Sequence, residues 1–231
     1  MPTIAIVGAG PGMGLAIART FGARGFDVAL IARTRGRLDD LVAALAAQGI
    51  TAAAFPADVL DHDQLAHALA EAAAHFGGID VLEYSPLGHS ATTAVTTPSA
   101  TTPADVQAQM DSQLYGALAA TRAVLPAMRE AGAGTLLYTT GGGSVSPVAM
   151  LGNINAAAAA LRNWAINLHG ELAGTGIQAA HVAIGVWIGD HGPQGAPTAT
   201  ADQIAPVYWD LHVHREQAES VFAGVHQDQT R

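Results

Sequence analysis

The sequence predicts an α/β fold: an open, doubly wound parallel sheet of six to seven strands with helices on both faces. Short β-branched or apolar runs alternate with longer helical stretches along nearly the whole chain. Half of the residues are hydrophobic and only 13% are charged, a balance that suits strands buried on both faces.

Strands are expected at Thr3–Val7, Asp27–Ala32, Thr51–Phe55, Ile79–Tyr84, Thr135–Thr140 and Ile177–Ile184, with a candidate seventh at Glu219–Ala223. The first helix runs to about Arg24. Two later helix starts are visible in the residue types: Asp61-His62-Asp63-Gln64 reads as a capping box, and Thr102-Pro103-Ala104-Asp105 joins a cap, a first-turn proline and an early acid. Ser90–Thr102, rich in Thr, Ala and Ser, reads as a loop over the end of the fourth strand. Gly185–Thr200 reads as a mobile flap over the site, and Ala201–His214 as a helix. With no repeat and no second pattern, residues 1–231 are read as one domain.

Composition excludes several classes of function. A formal charge of −9 with ten scattered arginines is the wrong field for a phosphate backbone, so no nucleic-acid partner is expected. There is no cysteine, which removes disulfides, thiolate zinc sites and cysteine nucleophiles. No apolar run approaches the roughly 20 residues of a membrane span, and the N-terminus runs directly into a strand, so a cytoplasmic protein is expected. In Asp210-Leu211-His212-Val213-His214 the histidines stand two apart and point to different sides of a helix, so no metal site is read there. Lysine is absent altogether.

The first strand is followed at once by Gly8-Ala9-Gly10-Pro11-Gly12-Met13-Gly14, which opens a helix. Glycines let a backbone turn tightly and approach a pyrophosphate, whose charge then meets the amides of the helix N-terminus. The pattern in that position is the dinucleotide-binding arrangement of a Rossmann fold. At the end of the second strand an NAD-selective site places an acid for the ribose hydroxyls. Here stand Ala32, Arg33 and Thr34, with Arg35 and Arg37 close by, and cations there favour a 2′-phosphate. The expected cofactor is therefore NADP(H).

These residues bring a family resemblance into view. Gly8-x-x-x-Gly12-x-Gly14 has the spacing of the short-chain dehydrogenase/reductase family, and Ala57-Asp58-Val59 resembles its adenine-contacting motif. Asp80-Val81-Leu82 leads into the fourth strand as in that family, and Ala159–Arg162 through His169–Leu172 resembles its long fifth helix. The resemblance spans nearly the whole chain. It implies a cofactor site of Gly8, Gly10, Pro11, Gly12, Met13, Gly14, Arg33, Thr34, Asp58, Val59, Ser85, Pro86, Gln113 and Gly185. Asp58 would accept from the adenine amino group; the alternative is that it caps the next helix, a task for which Asp61 is also placed.

The departures from the family lie at the other end of the cofactor. In the family a tyrosine transfers the proton, a lysine four residues on lowers its pKa and holds the ribose, a serine steadies the substrate oxygen, and an asparagine maintains a water relay. By this resemblance the tyrosine position falls on Ile154, the lysine position on Ala158, the serine position on Gly141 and the asparagine position on Gln113. The family's Asn-Asn-Ala-Gly becomes Tyr84-Ser85-Pro86-Leu87, and its Pro-Gly after the sixth strand becomes Ile184-Gly185. No shift of register recovers a Tyr-x-x-x-Lys motif in a chain without lysine.

A hydride added to a carbonyl leaves an alkoxide that needs a proton, and a positioned acid contributes roughly 10²–10⁴-fold. Replacement donors near the expected strand ends are Tyr138, Tyr84, His89, Ser144, Ser146, Asn155, Asp190 and His191. Asp190-His191 is preferred, because a carboxylate can orient an imidazole that titrates near neutrality; Tyr138 is the third candidate. Ile154, Ala158 and Trp187 make the cavity walls apolar, which favours a small hydrophobic organic substrate. Trp164 and Leu168 have core spacing and read as packing residues; the family resemblance implies that this helix also meets a second subunit, so a homodimer or homotetramer is expected.

Three functions follow as expectations. The first is an atypical NADP(H)-dependent oxidoreductase acting on a hydrophobic carbonyl, imine or activated alkene. The second is an NADP(H)-binding pseudoenzyme that regulates or scaffolds a partner. The third is a non-redox isomerase, cyclase or lyase that reuses the cavity.

Overall fold

The computed structural model describes residues 1–86, 94–189 and 192–224. In chain order its strands are β1 (Thr3–Val7), β2 (Asp27–Ala32), β3 (Ala52–Pro56), β4 (Val81–Tyr84), β5 (Gly134–Gly141), β6 (Ile177–Ile184), β7 (Trp187–Ile188), β8 (Thr198–Ala199) and β9 (Glu219–Phe222). The helices are α1 (Met13–Gly22), α2 (Arg35–Ala46), α3 (His62–Phe76), α4 (Pro103–Met110), α5 (Gly116–Ala131), α6 (Gly152–Glu171), α7 (Ala201–Ile204) and α8 (Pro206–Val213). One sheet runs β3-β2-β1-β4-β5-β6-β9, every neighbouring pair parallel. The expected doubly wound sheet with helices on both faces is therefore present, and the strand order reverses between β1 and β4. Ligands of such sheets bind outside the strand C-terminal ends at that reversal.

Alternation along the strands assigns the two cores. Ile4 and Ile6 of β1, with Val28 and Leu30 of β2, face α1, α2 and α8, while Ala5, Val7, Ala29 and Ile31 face α3, α5 and α6. Strands covered on both sides need apolar residues at every position, which is why Thr3–Val7 is buried throughout. On the first face Phe21 packs edge-on against Phe26 and Trp209 at ring separations of 5.3 and 5.4 Å. The Arg24 guanidinium lies 4.8 Å over the Trp209 ring. Such pairs add about 0.5–1.5 kcal/mol each beyond their buried area. They fix α1, and hence the glycine turn that precedes it, against α8.

Several expected boundaries move, each for a physical reason. Ala201–His214 divides in two because Pro206 has no amide to continue α7; it becomes instead the first residue of α8. At Asp61 only half of the capping box forms: its side chain accepts from the Gln64 amide, but the Gln64 side chain accepts from the amide of Asp58. The box at Thr102 and Asp105 is complete in both directions. Gly185–Thr200 is not featureless, since β7 and β8 pair in parallel within it. His212 is held by Thr135, 2.9 Å from Nδ1 to Oγ1, and packs against Phe21 and Phe26. No helix among the described residues is long and apolar enough to cross a membrane.

Candidate active site

The turn Gly8–Gly12 sits where β1 and β4 part. Gly8 has φ +96°, and a Cβ added there would lie 2.5 Å from the Pro86 nitrogen, so backbone packs directly on backbone. A Cβ at Gly14 would lie 2.9 Å from Ala9 Cα, which lets α1 start close to β1. Gly12 differs: nothing lies within 4 Å of its added Cβ, and the only neighbour at Gly10 is the Gly8 carbonyl at 3.9 Å. No side chain caps α1, and no acid stands in its first turn. Space and amide donors thus meet at one helix end, as an anionic ligand requires.

The other expected cofactor residues stand after the C-terminal ends of β2, β3, β4 and β6 and on the stretch before α5. Pro11 and Gly12 are exposed, Met13 is half-buried, and Arg33 and Thr34 are exposed at the start of α2. Asp61, not Asp58, caps α3; one Asp58 carboxylate oxygen accepts from the Leu60 amide at 3.0 Å. Val59 is buried, and its carbonyl faces Gly116. The Ser85 hydroxyl donates to the buried Glu83 carboxyl at 2.8 Å. Burial pushes Glu83 up to about 8, against the hydrogen bonds from Thr139 and Ser85. Gln113 lies on a π-helical stretch, Asp111–Tyr115, and donates to Gln109.

That π stretch has a visible cause. The Tyr84 ring reaches beneath the helix, its hydroxyl donating 2.5 Å to the Ser112 carbonyl, and a Cβ on Gly116 would lie 2.0 Å from that hydroxyl oxygen. Tyr84 is buried, and burial raises its phenol far above the ordinary range. Tyr138 is likewise fully buried, bonded to Thr121 Oγ1 at 2.6 Å and packed edge-on against Trp164 at 5.2 Å. Burial raises its phenol as well. Both tyrosines belong to the core between the sheet and α5–α6, which corrects the expectation of either as a proton donor in the cleft. Asp190, His191 and His89 lie outside the described residues.

At the end of β5 comes a run of three glycines, Gly141–Gly143, the first of them exposed. A Cβ at Gly141 would meet nothing within 4 Å, whereas one at Gly142 would lie 2.7 Å from Gly185 Cα and one at Gly143 2.0 Å from Asn155 Oδ1. The glycine run therefore has two tasks: two members let the segments after β5 and β6 and the start of α6 touch, and the third leaves space. Asn155 donates to the Val148 carbonyl at 3.0 Å, and Asn153 holds the 94–96 segment through the Thr96 amide and the Ala94 carbonyl. Between these anchors Ile154 is half-buried, and Ala158, one turn on, is buried. The segments following β5 and β6 carry exposed apolar side chains, Val145, Val148, Met150, Trp187 and Ile188.

Beside Gly141 lies a hydrogen-bonded row that sequence reading missed. Thr140 Oγ1 is 2.8 Å from Ser144 Oγ and 2.8 Å from His181 Nε2; His181 Nδ1 is 2.9 Å from Glu219 Oε1. Arg162 of α6 donates to both oxygens of Glu219, at 2.5 and 2.8 Å. The Arg162 bonds hold the Glu219 carboxyl below its usual range, and burial lowers His181. Only Ser144 was legible beforehand. Thr140 and His181 sit on adjacent strands and Glu219 on the edge strand, so only the register of β5, β6 and β9 aligns them.

A family model described as short chain dehydrogenase matches residues 2–191. The chain is 30% identical over 201 residues to the (2S)-[(R)-hydroxy(phenyl)methyl]succinyl-CoA dehydrogenase subunit BbsC of Thauera aromatica, covering 87% of this chain and 76% of that one. It is 29% identical over 183 residues to the ketoacyl reductase HetN of a Nostoc species, covering 79% of this chain and 62% of that one. The L-sorbose reductase of Gluconobacter frateurii, solved with NADPH and L-sorbose, superposes with a TM-score of 0.84 at 20% identity over 96% of this chain and 95% of that one. A short-chain dehydrogenase of Streptomyces avermitilis gives 0.83 at 26% identity, covering 96% and 88%.

Proposed function

Since the chain belongs to the short-chain dehydrogenase family, we propose that it is an NADP(H)-dependent oxidoreductase of atypical mechanism, acting on a hydrophobic carbonyl, imine or activated alkene. The observation that carries this reading is the open space at Gly12 beside the uncapped start of α1, at the reversal of the strand order. Residues of the turn would hold the diphosphate, Arg33 and Thr34 the 2′-phosphate, and Asp58 the adenine. The bound dinucleotide supplies hydride transfer; the chain supplies position, which alone accounts for a large part of the barrier reduction. Gly141 leaves room for the substrate, and the exposed apolar residues after β5 and β6 favour an apolar one.

Titration followed by nucleotide fluorescence tests the cofactor. NADPH is expected to bind at least about tenfold more tightly than NADH, since a charge-assisted hydrogen bond contributes about 1.5–3 kcal/mol. Arg33→Ala should remove most of that preference while leaving NADH binding unchanged. Equal affinity for the two, or none for either, would overturn the assignment.

Ile154 and Ala158 favour a second reading, because neither can transfer a proton: a protein that binds NADP(H) and regulates or scaffolds a partner. Tight NADPH binding with no turnover over a panel of ketones, imines and enones, together with a co-purifying partner, would select it.

A further inference from the structure

Resting on the oxidoreductase reading, we infer that Val95, Val145, Val148, Met150, Trp187 and Ile188 form an uncharged apolar mouth, which takes a neutral substrate with a long hydrocarbon chain and no phosphate-bearing carrier.

These are six of the ten large apolar side chains that stand exposed among the described residues. Scattered singly, such residues need no explanation; gathered together, they mark a surface that something apolar covers. All six lie on the segments that follow β4, β5 and β6, and the backbone draws those segments together. Gly152, the first residue of α6, donates its amide to the Thr96 carbonyl at 2.7 Å, and a Cβ on it would lie 2.7 Å from the Pro98 nitrogen. Asn153 bonds to Thr96 and Ala94 on either side of Val95, and Asn155 bonds to Val148 while it meets Gly143. Gly142 in turn meets Gly185, two residues before Trp187. The first turn of α6 is thus the hub of the cluster. It stands at the C-terminal edge of the sheet, beside the reversal of strand order where ligands of such sheets bind.

The apolar side chains are presented by held backbone. Trp187 and Ile188 make up β7, paired with β8, and the Trp187 and Gly189 amides donate to the Pro197 and Ala199 carbonyls at 2.9 and 2.8 Å. The Leu151 amide donates to the Val148 carbonyl at 2.9 Å and closes a turn around Met150. Yet Trp187 is 53% exposed and Met150 65% exposed. Water gains nothing from these surfaces, whereas a hydrocarbon chain laid on them removes apolar area on both sides of the contact.

Charge decides which apolar ligand fits. Residues 94–104, 131–161, 184–189 and 192–201 contain no Asp, Glu, Lys, Arg or His. Arg162, the next residue of α6, donates both of its bonds to Glu219. The helix starts on these segments spend donors internally: Thr102 and Thr200 complete capping boxes at α4 and α7, and the Gly152 amide is bonded to Thr96. Coenzyme A and acyl-carrier arms present phosphates, which proteins meet with arginine, lysine or free helix-start amides. A chain with a formal charge of −9 and no cation on these segments repels such an arm instead of anchoring it. A free ketone or aldehyde with a hydrocarbon tail asks for none of those donors.

Calorimetric titration of the protein with 2-alkanones of increasing length, from 2-butanone to 2-decanone, with and without NADPH, tests the mouth. Affinity should rise about two- to fourfold for each added methylene. Trp187→Ser and Met150→Ser should each flatten that rise and weaken 2-decanone by about tenfold, with NADPH affinity and melting temperature unchanged, because both side chains stand in solvent. Ethyl 3-oxodecanoate should bind at least about tenfold more tightly than 3-oxodecanoyl-CoA, which carries the same acyl group on a phosphorylated arm. A flat series with NADPH bound, or a preference for the CoA thioester, would overturn the inference. So would an oligomer that dissociates in both serine variants while the series stays unchanged, since a second copy would then be what covers the patch. Failure to bind NADPH would remove instead the reading on which the mouth rests, and the series without nucleotide would still report on the mouth itself.

Discussion

Gly8→Ala is expected to lower the melting temperature by about 10 °C and to abolish dinucleotide binding. Two penalties combine at this position. Its φ of +96° is a conformation that side chains disfavour, and holding alanine there costs about 1–3 kcal/mol. The added methyl would also lie 2.5 and 2.6 Å from the nitrogen and Cα of Pro86 and 2.7 Å from the carbonyl carbon of Ser85. These are backbone atoms of the segment after β4, so no rotamer change relieves the contact, and overpacking adds about 1–3 kcal/mol. A total near 4 kcal/mol, at roughly 2–4 °C per kcal/mol for a chain of this size, gives the stated shift. Binding suffers separately, because relief requires β1 and β4 to part at the point where the glycine turn and the Ser85–Pro86 segment meet. Gly12→Ala is the comparison that separates the two effects. With nothing within 4 Å of its Cβ, the methyl meets no protein atom; it occupies the space read as the diphosphate site. Its thermal shift should be far smaller than that of Gly8→Ala, with NADPH affinity reduced by about 10²-fold or more. If Gly12→Ala binds NADPH as the unmodified protein does, the diphosphate does not rest there.

How much of this was legible follows from what each feature depends on. β1, β2 and β6 have the bounds expected of them, because Thr3–Val7, Asp27–Ala32 and Ile177–Ile184 are short apolar runs ended by glycine or helix starts. The glycine turn was legible for the same reason: a local requirement for φ above zero and close approach is written in consecutive residues. Tyr84 and Tyr138 could not be placed from sequence, since strand alternation decides which face each ring joins, and both joined the buried face toward α5 and α6. The Thr140–His181–Glu219 row was illegible for a stronger reason. Its members lie 41 and 38 positions apart, on three strands, and each taken singly reads as a sheet residue. Glu83 did carry a local signal that went unread: an acid in the middle of an otherwise apolar strand.

Glu83→Gln is expected to remove a loss of stability that the unmodified protein suffers as pH rises from about 4.5 to about 8. The carboxyl is fully buried in β4, its register partners are Ile6 and Leu137, and its hydrogen-bond partners are Ser85 and Thr139. Thr139 Oγ1 is also 2.8 Å from the Tyr208 hydroxyl of α8, which closes the cluster against the helix. Burial disfavours the carboxylate, so the folded chain retains the proton up to about 8, while the unfolded chain releases it near 4.5. Between those values the native state binds one proton more than the unfolded state. Stability therefore falls with rising pH, by about 1.4 kcal/mol per unit and of order 5 kcal/mol over the interval. His181 and Glu219 act with the opposite sign: both are held below their ordinary ranges, so their contributions are lost as pH falls. Denaturant unfolding of both proteins from pH 5 to 9 isolates Glu83, because the two other groups cancel in the difference. The glutamine variant should gain on the unmodified protein steadily up to about pH 8 and hold that gain above it. Parallel curves throughout would mean that Glu83 is ionised in the fold, and that Ser85, Thr139 and Tyr208 solvate a buried anion instead of enclosing a neutral acid.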